Sequence, residues 1–396
     1  MVIGKFFGSI LLIIGTSIGG GMLALPVATS AGGFFWASIG FISCWLIMTA
    51  GAFLILECLQ PLPLGSNMVS MARHYLGKPG ELIIWFLYLA FLYSLLGAYI
   101  SGGSDVLYNF LNQLHIHIPQ LLTPILYTSS FSLIIYNGIR WVDYINRGLM
   151  FGKLGAYALL VVVILPFIHT KNFIPGELKR LLPQFSILIT SFGFASIVPS
   201  LRDYWQNDIK TLRRIILIGS IVPLFCYLLW DFVIMGAISP QGPHRLTLLL
   251  QSDHTISGLG QGLGETTHNK MISKLFDFFS GICMLTAFLS VSLGLFDFIA
   301  DGFRLKKQSF QGHLALGLTF FPPLLMVLMY PGMYLSALNY AGTLCVILLL
   351  VFPLLMTWNA RKTYRQQQQL LPGNKLSLIL LLFAAIFSII IPHIGI

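Results

Sequence analysis

The chain has 396 residues, of which 56% are hydrophobic and 9% charged, with a mean hydropathy of +0.84 and a formal net charge of +10. A soluble domain carries about 25% charged residues, so the composition excludes a soluble globular protein. The positive charge does not point to nucleic acid. The basic residues sit in short segments between apolar runs, where they set membrane topology.

The first apolar run covers residues 6–30, behind Lys5. Its end, "ATSA", imitates a signal-peptide cleavage site, but a signal core is only about 7–15 residues long, so the run is read as a membrane span. Inside it lies "GTSIGGGMLALP" at 15–26. Each glycine costs a helix about 1 kcal/mol relative to alanine, and an interior proline about 3 kcal/mol. Non-helical backbone at membrane depth is tolerated only where it lines a cavity or is buried in protein. The alternative reading of these glycines is close packing against a neighbouring helix.

Ten further apolar runs follow, at about 34–56, 82–110, 121–138, 148–169, 184–200, 212–236, 272–300, 312–330, 333–357 and 376–394. A span takes about 20 helical residues, and the period-2 alternation of a membrane barrel is missing. The expectation is an all-α polytopic membrane protein with eleven spans. Placing the N-terminus in the cytoplasm puts most Lys and Arg inside, including Arg140, Arg147, Lys306, Lys307 and Lys375, and makes the C-terminus periplasmic. Lys171, Lys179 and Arg180 break this pattern, with Glu177 available to pair with them.

The longest polar segment, about 238–271, is read as an outer flexible loop. Its "GLGQGLG" lacks the preceding strand that a dinucleotide site requires. "RKTYRQQQQLLPGNK" is read as a solvated linker. Cys44, Cys58, Cys226, Cys283 and Cys345 lie in or beside apolar runs and read as small buried hydrophobes, without a disulfide framework.

The first break has a partner. "TSIGGGMLALP" (16–26) and "TSFGFASIVP" (190–199) both open Thr-Ser-x-Gly and both close on Pro. Five spans separate them, so the two halves insert in opposite senses. Gly/Pro-interrupted segments at matching positions of inverted halves point to a secondary transporter's midplane site. Freed amides at a half-helix N-terminus can hold a carboxylate, and freed carbonyls can hold an ammonium. An α-amino acid carries both.

Ionisable residues inside spans are functional candidates. Lys153 lies within the fifth span, with snorkelling to the inner interface as its alternative. Asp105 is placed at an outer interface and Glu57 at the inner end of its span. Asp231 is embedded but is given no role. Asp297 and Asp301 are expected to pair with Arg304, Lys306 and Lys307. His115 and His117 form only a weak metal pair in an outer loop, so no metal and no cofactor are expected. There is no phosphate-binding G-x-x-x-x-G-K-[ST], and no H-E-x-x-H or G-x-S-x-G, so an enzyme or ATP-driven pump lacks its motifs. A channel and a non-transporting amino acid sensor of the same fold remain as alternatives.

In chain order, "GTSIGGGMLALP", "YISG" (99–102), "YINRGLMFGK" (144–153), "TSFGF" (190–194), "GLFDFIAD" (294–301), "FPPLL" (321–325), "YP" (330–331) and "NYAG" (339–342) resemble the hydroxy and aromatic amino acid permeases. The resemblance covers nearly the whole chain. It implies a member of the amino acid/polyamine/cation superfamily with a LeuT-type 5+5 inverted repeat and an eleventh helix. The single transporter domain, 1–396, would then divide into repeats at about 6–169 and 184–357, with the extra helix at about 376–394. The implied activity is import of an aromatic amino acid, tyrosine first, by symport with a proton rather than sodium, across a bacterial inner membrane.

On this resemblance the substrate-binding candidates are Thr16, Ser17, Ile18, Gly19, Gly20 and Gly21 in the first break, and Ser191, Phe192, Gly193, Phe194 and Ala195 in the second. Phe194 and Tyr99 are the candidates for the substrate ring. Lys153 resembles the lysine that, in proton-coupled relatives, occupies the place of a sodium ion, and Thr286 would offer it a hydroxyl. One departure stands out. The family carries His-Gly after "SFGF", where this chain has Ala195-Ser196.

Overall fold

The computed structural model describes residues 2–136, 139–241, 245–305, 310–364, 368–371 and 375–393. Its α-helices are α1 (Val2–Ser17), α2 (Gly20–Thr29), α3 (Gly33–Leu59), α4 (Met68–Gln113), α5 (Thr123–Tyr136), α6 (Ile139–Ile164), α7 (Leu178–Leu181) and α8 (Phe185–Ser191). They continue with α9 (Val198–Tyr204), α10 (Ile209–Ala237), α11 (Thr255–Thr266), α12 (Lys270–Gly302), α13 (Phe310–Met329), α14 (Tyr334–Val346), α15 (Phe352–Thr363) and α16 (Lys375–Ile390). No strand occurs among the described residues.

Eight helical stretches among the described residues are long and apolar enough to cross a membrane, or nine when the bent pair α1–α2 counts as one span. The expected fourth and eleventh spans are the shorter apolar helices α5 and α16. The chain is thus an all-helical, multi-pass membrane protein. Large apolar side chains such as Phe35, Phe151, Phe225, Phe321 and Phe383 point outward, as a lipid-facing surface requires. The interior is equally apolar, and α4 packs within it against α12, α13 and α14 while α10 packs against α1 and α3.

Proline and glycine set the local irregularities. Gly77 has φ 72° and Pro79 follows, so α4 kinks before its span begins. The junction of α14 and α15 is a π turn over Ile347–Val351. Pro353 has no N–H, so the Leu349 carbonyl loses its helical donor. Gly51 of α3 comes against that carbonyl so closely that a Cβ there would collide with it. Gly342 of α14 likewise abuts the Ser186 carbonyl of α8. Hydrogen bonds flank that contact, from Thr190 Oγ1 to the Leu338 oxygen (3.0 Å) and from Asn339 Nδ2 to the Pro183 oxygen (3.1 Å).

Three expectations are corrected. The segment 238–271 is not simply a flexible loop, because it contains a 3-10 turn, Leu246–Gln251, and helix α11. Asp105, expected at an exposed outer interface, is buried in the protein, and it builds that helix. Its carboxylate accepts from the Ile256 and Ser257 amides (3.1 and 3.0 Å) and from the Ser257 hydroxyl (2.6 Å). These contacts satisfy donors at a helix N-terminus that would otherwise lack partners. The tail before α16 is partly docked. Leu370 is buried, and its amide donates to Glu57 (3.0 Å), whose carboxylate also takes Arg361 in a bidentate pair (2.6 and 3.0 Å).

Other charged groups fall closer to expectation. Arg180 pairs with Glu177 at 3.2 Å. Lys306 and Lys307, expected to face Asp297 and Asp301, lie outside the described residues, as do the side chains of Arg140, Arg147 and Lys375. Cys44, Cys58, Cys283 and Cys345 are buried, and all five cysteines are free.

Candidate functional site

The glycine-rich stretch does break the helix. Between α1 and α2 the chain leaves helical geometry at Ile18 and Gly19, and the axis turns by 52°. Gly19 is extended, and no side chain caps the start of α2. The first amides of α2 therefore lack intrahelical partners. The second copy changes pitch instead. After Ser191 the chain tightens into a 3-10 turn, Gly193–Ile197, before resuming as α9.

Side chains donate to carbonyls on both sides of the first break. Lys153 of α6 donates to the Ile18 oxygen at 2.5 Å. Its side chain is 2% exposed, so it does not snorkel to an interface. Among the described residues no carboxylate pairs with it, and Cys283 lies within electrostatic reach. Tyr334 of α14 donates to the Gly20 oxygen at 2.5 Å.

Tyr227 of α10 joins the two breaks. Its hydroxyl lies 2.6 Å from the Ser17 oxygen and 2.8 Å from the Ser191 oxygen. One proton is shared between one carbonyl from each copy of the Thr-Ser motif. The Tyr227 ring is fully buried, edge-on to Phe192 at 5.1 Å between centroids. A Cβ on Gly21 would lie 3.3 Å from the Ser191 hydroxyl, so the two breaks also touch directly.

Of the ring candidates, Tyr99 falls at the first break. A Cβ on Gly20 would meet the Tyr99 ring at 2.6 Å, so Tyr99 packs against the first residue of α2. Phe194 and Ala195 are fully buried, and Gly193 faces Cys345. Among the described residues the buried Ser17 hydroxyl meets no hydrogen-bond partner within bonding distance, although it sits where the helix opens. Further along α4 from Tyr99, a cavity of about 230 Å³ lies against α11, lined by Ser101, Ser104, Asp105, Tyr108 and His254 among others.

Two expected contributors stand apart. Thr16 is exposed, and its hydroxyl turns back onto the Leu12 and Ile13 oxygens. Thr286 is buried, but its hydroxyl bonds back to Ile282 and Cys283 of its own helix rather than to Lys153. Sequence reasoning missed Tyr227 and Tyr334. The available signal was a tyrosine within an apolar span, whose hydroxyl must find a partner when buried. Among the described residues no group of His, Cys, Asp and Glu could hold a metal ion.

At the far end of α1, Trp205 donates to the Ser9 hydroxyl at 2.9 Å, and the Lys5 ammonium lies 4.6 Å from the Trp205 ring and 4.4 Å from the Tyr204 ring. These contacts close α1 against α9.

Comparison with known proteins agrees with the membrane architecture. The chain is similar to tyrosine-specific transport system 1 of Haemophilus influenzae, with 33% identity over 98% of this chain and 96% of that protein. It is similar to a tryptophan-specific transport protein of Pseudomonas aeruginosa, with 30% identity over 91% and 87% of the two chains. Glutamine transporter 2 of Aliivibrio fischeri shares 28% identity over 90% of each. Residues 3–392 match the tryptophan/tyrosine permease family. With its broken first span, its buried lysine and full-length similarity to these transporters, the chain belongs to the tryptophan/tyrosine permease family.

Proposed function

We propose that this protein is a secondary active transporter that imports an aromatic amino acid, tyrosine first, by proton symport through alternating access. The observation that carries the reading is Tyr227 bridging the Ser17 and Ser191 carbonyls, which makes one locus of two distant motifs. The full-length tyrosine- and tryptophan-specific relatives support the substrate class.

In this reading the substrate carboxylate meets the amides of Gly19, Gly20 and Gly21, where the helix dipole favours an anion. Its ammonium meets carbonyls at the ends of α1 and α8, and the partnerless Ser17 hydroxyl completes the polar wall. Tyr99 and Phe194 frame the ring, with contacts worth about 0.5–1.5 kcal/mol beyond burial. Lys153 carries the coupled proton, and its loss would release the Ile18 carbonyl. The fold is read as a LeuT-type 5+5 inverted repeat, about 6–169 and 184–357, with α16 as an eleventh span. The protein would lie in a bacterial inner membrane, N-terminus in the cytoplasm and C-terminus in the periplasm.

The test is uptake of labelled tyrosine, tryptophan, phenylalanine and glutamine into proteoliposomes, with and without an inward proton gradient. Gradient-dependent accumulation of an aromatic amino acid is expected. Binding without flux would identify a sensor, and flux without saturation a channel. A strict sodium requirement would remove only the coupling claim.

A further inference from the structure

Asp231 lies in α10, one helical turn beyond Tyr227, and is fully buried. Among the described residues its one hydrogen-bond partner is the hydroxyl of Thr29, the last residue of α2, at 3.0 and 2.9 Å from the two carboxyl oxygens. The same hydroxyl lies 2.7 Å from the Leu25 carbonyl, one turn back in α2. Three acceptor oxygens thus surround a hydroxyl that has a single proton.

The proton count separates the two charge states. With an ionised carboxyl, Thr29 can serve either Asp231 or Leu25. The result is a buried anion with at most one hydrogen bond, a costly arrangement in an apolar interior. With a neutral carboxyl, its O–H donates to Thr29 and Thr29 donates to Leu25, so every proton has an acceptor.

Among the described residues nothing around the site offers a compensating charge. Helix α2 has no titratable side chain. From α6, Lys153 is engaged at Ile18 and Tyr157 at the Cys226 carbonyl. On α10 itself Tyr227 serves the two breaks, and Lys210, Arg213 and Arg214 lie in its first turns. Beside the far end of α10 are His169 and Lys171, and α11 contributes Glu265. Lys5 of α1, Glu57 of α3, and Arg202 and Asp203 of α9 belong to the opposite end, where they have their own partners. Among the described residues no Lys, Arg or His forms an ion pair with Asp231.

We propose that Asp231 is a second proton-binding site, loaded by closure of α2 onto α10. When Thr29 and Asp231 separate, water reaches the carboxyl, its O–H bond breaks, and the proton leaves to water. Renewed closure requires that bond to re-form. Proton binding and closure therefore favour each other reciprocally. The role in coupling rests on the transport reading, whereas the protonation state does not.

Infrared spectroscopy of the purified protein in lipid nanodiscs tests the site directly. Near neutral pH the wild type should show a carboxylic-acid C=O stretch that Asp231→Asn lacks and that shifts in Thr29→Val. Both substitutions are close in size and keep the packing. In proteoliposomes Asp231→Asn should still exchange labelled tyrosine but lose gradient-driven accumulation, the inside-to-outside ratio falling to about one. Wild-type and Asp231→Asn spectra without that difference, or undiminished accumulation by Asp231→Asn, would overturn the proposal. A wild-type protein that moves no aromatic amino acid would defeat the transport reading, while the infrared comparison would still decide the protonation site.

Discussion

The Lys153 ammonium reaches 2.5 Å from the Ile18 carbonyl, tying α6 to the two residues where α1 gives way to α2. A buried cation whose hydrogen-bond partner among the described residues is a carbonyl gains no ion-pair compensation there. Lys153→Ala should therefore leave a folded protein that binds and exchanges substrate but does not concentrate it. Accumulation under a proton gradient should fall by at least about tenfold. Normal gradient-driven uptake by this variant would return Lys153 to a packing role.

Tyr227→Phe keeps the ring against Phe192 and removes the hydroxyl that bridges the breaks. Two buried carbonyls then compete for no donor, at a cost of about 1–3 kcal/mol. Transport should slow by about tenfold, and the melting temperature should drop. Kinetics with unchanged turnover would show that the bridge does not hold the site together.

Gly20→Ala would push a methyl group to within 2.6 Å of the Tyr99 ring. Overpacking of this kind costs about 1–3 kcal/mol, here at the wall proposed for the substrate ring. Substrate affinity should fall by about tenfold or more. Adding Tyr99→Leu should recover thermal stability but not affinity. If affinity returns as well, Tyr99 is packing and not part of the substrate's surroundings.

Helix α11 should respond to pH. The hydrogen bond to Asp105, 2.9 Å from Nδ1, raises the pKa of His254 above its ordinary value of 6.5, partly opposed by burial. A raised pKa in the closed form means that protonated His254 stabilises α11 fully below about pH 6.5 and loses that effect as pH rises through the raised value. Hydrogen exchange over residues 255–266 should accelerate across that window. His254→Gln should flatten the profile, and a profile unchanged by the substitution would exclude this pair as its source.

The features legible in the sequence were local. Four glycines within residues 15–21 pointed to the first break, and a lysine inside a span pointed to a buried amine, with snorkelling as its alternative. Neither inference needed the partner. The unread features depended on residues far apart in the chain. Tyr227 looks like any tyrosine in an apolar helix until Ser17 and Ser191 arrive beside it. "GLGQGLG" has poor intrinsic helix propensity, and it becomes helical where Asp105, about 150 residues earlier, caps its start. Thr16 fails in the opposite way. Its neighbours are at the site, but it ends α1 on the outward face, where its hydroxyl bonds its own helix. The second break reads like the first in letters yet only tightens to a 3-10 turn, because it lacks the run of consecutive glycines found at 19–21.

Gly342 against the Ser186 carbonyl, and Gly51 against that of Leu349, leave main chain touching main chain. Such backbone joints leave little room for side chains to reorient, and packed interiors yield in discrete jumps rather than by gradual deformation. They work as rivets. α8 cannot tilt without levering α14 with it, and α3 carries the π turn in the same way. Compliance is left to the places where hydrogen bonding is already relaxed, at 18–19 and 192–197. In the proposed transport cycle the working stroke is a pivot of riveted plates about two soft seams, both of them at the proposed substrate site.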